Sequence, residues 1–198
     1  MPTNSPEQPR IAPGGVREIG RPTWWFMQLV TKRTGGPIPN VMRTLARHRG
    51  LFLPWLFYSS RLMPFGSLKG TESELIILRV ASRTGSDYER HHHEALGAQA
   101  GLGADVMAWT KLPRGSSEPA PGDDGIEGAL AELLVQATDE LLDDRDLSDD
   151  TFAALSARFD ERRVLEICLL AGHYAGLAAT LKAARVQLEP GAGMHKLR

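Results

Sequence analysis

Residues 73–102 read SELIILRVASRTGSDYERHHHEALGAQAGL, and their reading decides the fold. The apolar set Leu75, Ile76, Leu78, Val80 and Ala81 predicts a mostly buried helix that ends near Gly85. Ser86 opens a second helix running to Gly101, where Gly101-Leu102-Gly103 stops it. Two helices are therefore joined by a tight turn at Thr84-Gly85-Ser86. Glu89 and His93, four positions apart, share one face of the second helix, about 5–6 Å from each other at Cβ. Antiparallel packing brings Glu74 opposite the middle of that helix. A carboxylate beside an imidazole orients the ring and stabilises its charged form, which makes an acid–base pair.

Outward from this hairpin the chain is punctuated like a string of helices, and runs with strand periodicity are scarce. Pro22 precedes Trp24-Trp25-Phe26, with Leu29 and Val30 following at helical spacing. Asn40 is predicted to cap residues 41–48, and Gly50 to break that segment before residues 51–63. A short helix is expected around residues 104–112, then a Pro-, Gly- and Ser-rich surface linker over 113–124. Residues 126–142 carry apolar side chains at 126, 130, 133, 134, 137 and 141, the pattern of an amphipathic helix. Asp149 or Asp150 is placed as the cap of residues 151–159, and Asp160 as the start of a last helix reaching about Leu188. Residues 167–184 of that helix are rich in Ala, Gly and Leu, which suits a central position or a subunit interface. The fold class expected is all-α, a bundle of about six to eight helices around an antiparallel hairpin.

The 198 residues suit one domain, taken as residues 16–198 behind a flexible leader over residues 1–15. With 23 basic and 24 acidic side chains the net charge is −1 and no basic stripe stands out, so nucleic acid is not expected as a partner. The N-terminus lacks the apolar core of a signal peptide. Apolar stretches such as residues 51–58 are shorter than the roughly 20 residues a membrane span needs. A cytoplasmic protein is expected. Cys168 is the only cysteine, which fits a reducing compartment and excludes an intramolecular disulfide.

The hairpin resembles the carboxymuconolactone decarboxylase-like (alkylhydroperoxidase D-like, AhpD-like) superfamily, whose members carry an E-L-x-I-L-x-V-A, Y-E, H, A, A-G-L pattern. Here it falls on Glu74-Leu75, Ile77-Leu78, Val80-Ala81, Tyr88-Glu89, His93 and residues 98–102. Arg10-Ile11-Ala12-Pro13, Leu45-Ala46-Arg47-His48 and Gly172-His173-Tyr174 look like weaker outer motifs, so the likeness spans nearly the whole chain. The resemblance implies an AhpD-like helix bundle, a homo-oligomer (trimer or trimer-based hexamer) and cofactor-free chemistry. The disulfide-using branch has a C-x-x-C at the positions held here by Ser86 and Glu89. Both cysteines are replaced, and thiol peroxidase chemistry needs both a peroxidatic thiolate and a resolving thiol. The peroxiredoxin activity attached to the superfamily at large is therefore not expected, and Cys168 reads as a core residue.

The catalytic set expected is His93, Glu89 and Glu74. His93, oriented by Glu89, moves a proton to or from a substrate carbon, with Glu74 as partner acid. Ser86, Tyr88, His92 and Trp55 are assigned to substrate binding, and Arg79, Arg83 or Arg90 to a substrate carboxylate. The reaction expected is that of a cofactor-independent lyase or isomerase on a lactone or keto acid, with a small molecule as the only partner besides further copies of the chain. The alternatives are a non-catalytic ligand-binding relative, or a peroxidase-like one despite the missing cysteines. Several plainer readings stand beside these. Ser86-x-x-Glu89 is also a capping box, and His91 to His93 cannot share one helix face. The Trp24-to-Tyr58 aromatics are equally a core or an interface. Glu74, Glu89 and His93 also offer metal-type donors, but no H-E-x-x-H spacing is present and no metal is expected.

Overall fold

The computed structural model describes residues 8–34 and 37–189; residues 1–7, the first half of the expected leader, lie outside them. Among the described residues there are ten helices and no strand. They are α1 (Val16–Ile19), α2 (Arg21–Thr34), α3 (Asn40–Leu45), α4 (Arg49–Leu62), α5 (Gly70–Thr84), α6 (Asp87–Ala100), α7 (Ala104–Trp109), α8 (Gly128–Asp143), α9 (Asp149–Ser156) and α10 (Glu161–Ala184). The number exceeds the six to eight expected because α1, α3 and α7 have only four to six residues each, too short to leave a periodic signature.

The chain forms two compact units, residues 1–58 with 180–198 and residues 59–179. The first is built on Ile19, Met27, Ala46 and Phe52, with Trp24, Met42 and Trp55 packed against them. Its N-terminal segment is fixed well before residue 15. The Arg10 and Ile11 amides donate to the Ala184 carbonyl at 3.0 and 3.1 Å, and the Gly14 amide donates to the Arg43 carbonyl at 3.1 Å. Gly50 does not break the chain as expected. It lies in the first turn of α4, where the His48 ring caps the helix by accepting from the Leu51 amide at 3.2 Å.

The second unit is organised around α5, which packs on α6 and α8. Residues 71–81 of α5 are all buried, so the helix has no solvent face. Its charged side chains are accordingly paired. Glu72 accepts from the Lys69 amide at 2.8 Å and closes the helix N-terminus. Arg79 holds Asp139 of α8 through Nε at 2.7 Å and Nη2 at 2.5 Å, and donates from Nη1 to the Thr110 carbonyl at 2.9 Å. Gly85 ends α5 at φ 61°, ψ 41°, the left-handed conformation glycine adopts without strain, and the chain turns directly into α6.

Other boundaries move for local reasons. Ile126 precedes α8 because Asp123 Oδ1 takes the Gly125 and Ile126 amides, leaving the Ile126 side chain buried in the core. Ser148, not Asp149 or Asp150, caps α9 by accepting from the Thr151 amide. The segment over 113–124 is irregular, as expected, and is pinned by Trp109 Nε1 to the Glu118 carbonyl and by the Gly103 amide to Asp123. α10 is long and apolar enough to cross a membrane by length and composition, a candidate that the expectation based on residues 51–58 overlooked. Its Val164, Ile167, Leu170, Ala171 and Tyr174 are spent in the protein core. Glu166 of α10 anchors the turn before α5 by accepting from the Ser67 and Leu68 amides and the Ser67 hydroxyl.

Replacing Arg79 by Met should remove about 3 kcal/mol of stability, because Asp139 is left buried with only the longer 3.3 Å contact to Arg83. Replacing both residues, Arg79→Met with Asp139→Leu, should recover most of that loss. Urea denaturation of the three proteins checks this; a single variant within 1 kcal/mol of wild type would mean that the pair does not hold α8 to α5.

Candidate active site

The hairpin places Glu74, in the second turn of α5, against His93 in the middle of α6. The His93 Nδ1 and Glu74 Oε2 atoms are 2.7 Å apart in a buried setting. With the carboxylate accepting, Nδ1 carries the proton and Nε2 is the basic nitrogen. The imidazole keeps 9% of its surface accessible. The residue that orients it is thus Glu74 and not Glu89, although Glu89 shares its helix face. The antiparallel packing of the hairpin supplies a partner from the facing helix, and the helix neighbour is left over.

Glu89 is 3% exposed, and neither of its oxygens has a hydrogen-bond partner; the same is true of the buried Ser86 hydroxyl. The expected capping box is therefore not made, and Ser86 begins α6 without a side-chain cap. Burial pushes the Glu89 carboxyl up to about 7, and the Ser86 hydroxyl, which meets it outside the geometry of a well-formed hydrogen bond, offsets only part of that. A group this close to neutrality holds a proton for part of its time and can give it away.

A fourth residue joins from α10. The Tyr174 ring meets His93 edge-on, with centroids 5.1 Å apart and planes at 87°. Burial, reinforced by the charges of Glu74 and Glu89, raises its phenol far above the ordinary value, so it stays protonated. The sequence offered only the Gly172-His173-Tyr174 motif as a pointer to it, and periodicity does not say which helix covers which. Its neighbour His173 is bound to Ser59 through Nε2 at 2.9 Å, and burial lowers its pKa.

No protein-family model matches the sequence, and no curated protein does. Solved structures do. An uncharacterized peroxidase-related protein from Silicibacter sp. TM1040 superposes with a TM-score of 0.76 at 14% identity, covering 97% of each chain. The AhpD-core protein from Ralstonia eutropha JMP134, also described as peroxidase-related, gives 0.74 at 16% identity over 94% of this chain and 96% of its own. The fold is AhpD-like. A debrominase, Bmp8, solved as a cysteine-to-alanine variant with 2,3,4-tribromopyrrole, shares it at a TM-score of 0.70 and 14% identity, over 93% of this chain and 94% of its own.

In this AhpD-like chain the remaining candidates are placed as follows. Tyr88 and His92 stack on each other along α6, centroids 4.7 Å apart, and His91 packs edge-on to His92 at 5.5 Å. One position back from Glu89 and His93, that pair is turned about 100° around the helix. Trp55 belongs to the first unit, where its ring stacks on Phe52. The three arginines are engaged: Arg79 with Asp139, Arg83 with Asp143 at 2.8 Å, and Arg90 with Glu94, Ser82 and the Met107 carbonyl. Cys168 is half-buried, less than a core position requires, and burial raises its thiol, so it is a poor thiolate. Among the described residues no three His, Cys, Asp or Glu side chains are grouped to hold a metal. A cleft of about 530 Å³ beside residues 113–119 is lined by Arg79, Arg114 and Gln136, and its guanidinium groups are already paired with aspartates.

The raised carboxyl of Glu89 should show in the pH dependence of stability. Between its ordinary value of 4.5 and about 7 the unfolded chain has released this proton while the folded one keeps it, so folding loses stability as pH rises through that window. The loss levels off above it and amounts to about 3 kcal/mol. Glu89→Gln should lack that slope. Denaturation curves taken from pH 4.5 to 8 check this, and parallel pH profiles for wild type and variant would refute it.

Proposed function

We propose that His93, Glu74 and Glu89 form a cofactor-independent proton-transfer site of lyase or isomerase type, acting on a small lactone or keto acid. The observation that carries this reading is the buried 2.7 Å Glu74–His93 bond beside an unpartnered, buried Glu89. The two carboxyls have different environments and hence different tasks. Glu74 fixes the ring and offsets its charge when His93 takes a proton at Nε2. Glu89, pushed up to about 7, returns a proton to the other end of the reacting system. A thiol peroxidase needs a thiolate and a resolving thiol, and Cys168 supplies neither. We further infer a homo-oligomer, trimer or hexamer, working in the cytoplasm on a small molecule. The exposed Leu165 (63%) and Leu169 (51%) on α10 support self-association.

The test is incubation of the purified protein with 4-carboxymuconolactone, related lactones and β-keto acids in D₂O. Release of CO₂ and deuterium entry are followed by NMR. Wild type should turn over at least one compound, and His93→Gln should be slower by about 10²–10⁴-fold. Turnover unchanged in His93→Gln would remove the imidazole from the chemistry. Binding of a panel compound with no turnover would make the protein a ligand-binding relative instead.

A further inference from the structure

The reading of a proton-transfer site leaves one side chain unused. Tyr174 reaches the His93 ring from a different helix and is 8% exposed. A buried phenol ordinarily finds a partner. On α6 the buried Glu89 carboxyl and Ser86 hydroxyl make no well-formed hydrogen bond. In the same layer Glu74 is satisfied by His93 and Arg79 by Asp139. Buried polar groups left without a well-formed partner on the helix that carries the imidazole are what a missing acceptor would leave behind. Tyr174 and a protonated Glu89 are both donors, so the absent group is an oxygen that gains negative charge.

We propose that the Tyr174 hydroxyl, with the Glu89 carboxyl beside it, donates to a substrate carbonyl oxygen, and that the substrates are carbonyl compounds with an acidic C–H next to that carbonyl. This rests on the proton-transfer reading and narrows it to enolisation. Nε2 of His93 takes the α-proton and the C–H pair becomes a C=C bond. The carbonyl π pair moves onto oxygen, where Tyr174 and Glu89 hold the enolate. The imidazolium, balanced by Glu74, then returns its proton to the same carbon or to a conjugated one. Nothing is oxidised or reduced. The edge-on contact holds the Tyr174 ring against the His93 ring.

Two measurements on the full chain test it. The first follows α-proton exchange of acetoacetate and 2-oxobutanoate in D₂O for wild type, Tyr174→Phe and His93→Gln. Tyr174→Phe keeps the ring against His93 and removes only the donor. It should lower kcat by about 10²–10³-fold with KM little changed, as loss of an oxyanion donor does. The second titrates 4-nitrophenol, whose phenolate oxygen mimics an enolate, and reads its absorbance. Wild type should bind it as the phenolate, Tyr174→Phe at least tenfold more weakly. Exchange lost in His93→Gln but kept in Tyr174→Phe, with equal nitrophenol binding, would overturn the role of Tyr174 and leave the proton-transfer reading standing. No exchange in wild type, with turnover of a lactone instead, would overturn enolisation while sparing His93. No turnover of any compound would remove both.

Discussion

A helix without a solvent face governs the second unit. Over residues 71–81 α5 is buried on every side, so each charged group it carries must find a partner inside the protein or be paid for in desolvation. Glu72 turns back to the Lys69 amide, Arg79 reaches across to Asp139, and Glu74 takes His93. These three contacts fix the start of α5, its packing on α8 and its register against α6. The Glu74–His93 pair is thus a consequence of burial before it is a piece of chemistry. The ring is oriented because the carboxylate has nowhere else to go.

Against that background the state of Glu89 carries information. It is as buried as Glu74, it lies at the entrance of a helix whose first amides attract negative charge, and yet its oxygens receive no well-formed hydrogen bond. A fold that satisfies every charge on α5 has no structural use for a bare carboxyl on α6. Ser86, one turn earlier, is orphaned in the same place, so the arrangement extends over neighbouring positions. Unmet polar groups beside an imidazole that keeps 9% of its surface accessible are expected where a substrate completes the set.

The hairpin was legible because its signal is local. An apolar run, a glycine where the backbone turns left-handed, and a carboxylate and imidazole whose spacing matches an antiparallel register are all written within thirty residues. The pairing of Glu74 with His93 follows from that register, but the sequence equally allowed Glu89 as the partner, since i,i+4 neighbours and facing residues compete for one ring nitrogen. Tyr174 and the Arg79–Asp139 bond, sixty positions apart, were not legible. Periodicity reports that a helix has a buried face and is silent on which helix covers it.

The same backbone can serve different chemistry according to two positions. The disulfide-using branch that the hairpin resembles has a C-x-x-C at these positions. Ser86 and Glu89 cannot form a disulfide, because neither a hydroxyl nor a carboxyl cycles through one. What a buried carboxyl can do is hold a proton at neutral pH and release it on demand, and burial has brought Glu89 to that point. The names of proteins sharing this fold already span peroxidase-related and debrominating examples, so the bundle does not dictate the reaction. Under the proposed proton-transfer function, the reaction would be set by what flanks His93: a carboxylate that orients it, a carboxyl kept near neutrality, and a phenol ring held edge-on. All three move or hold protons.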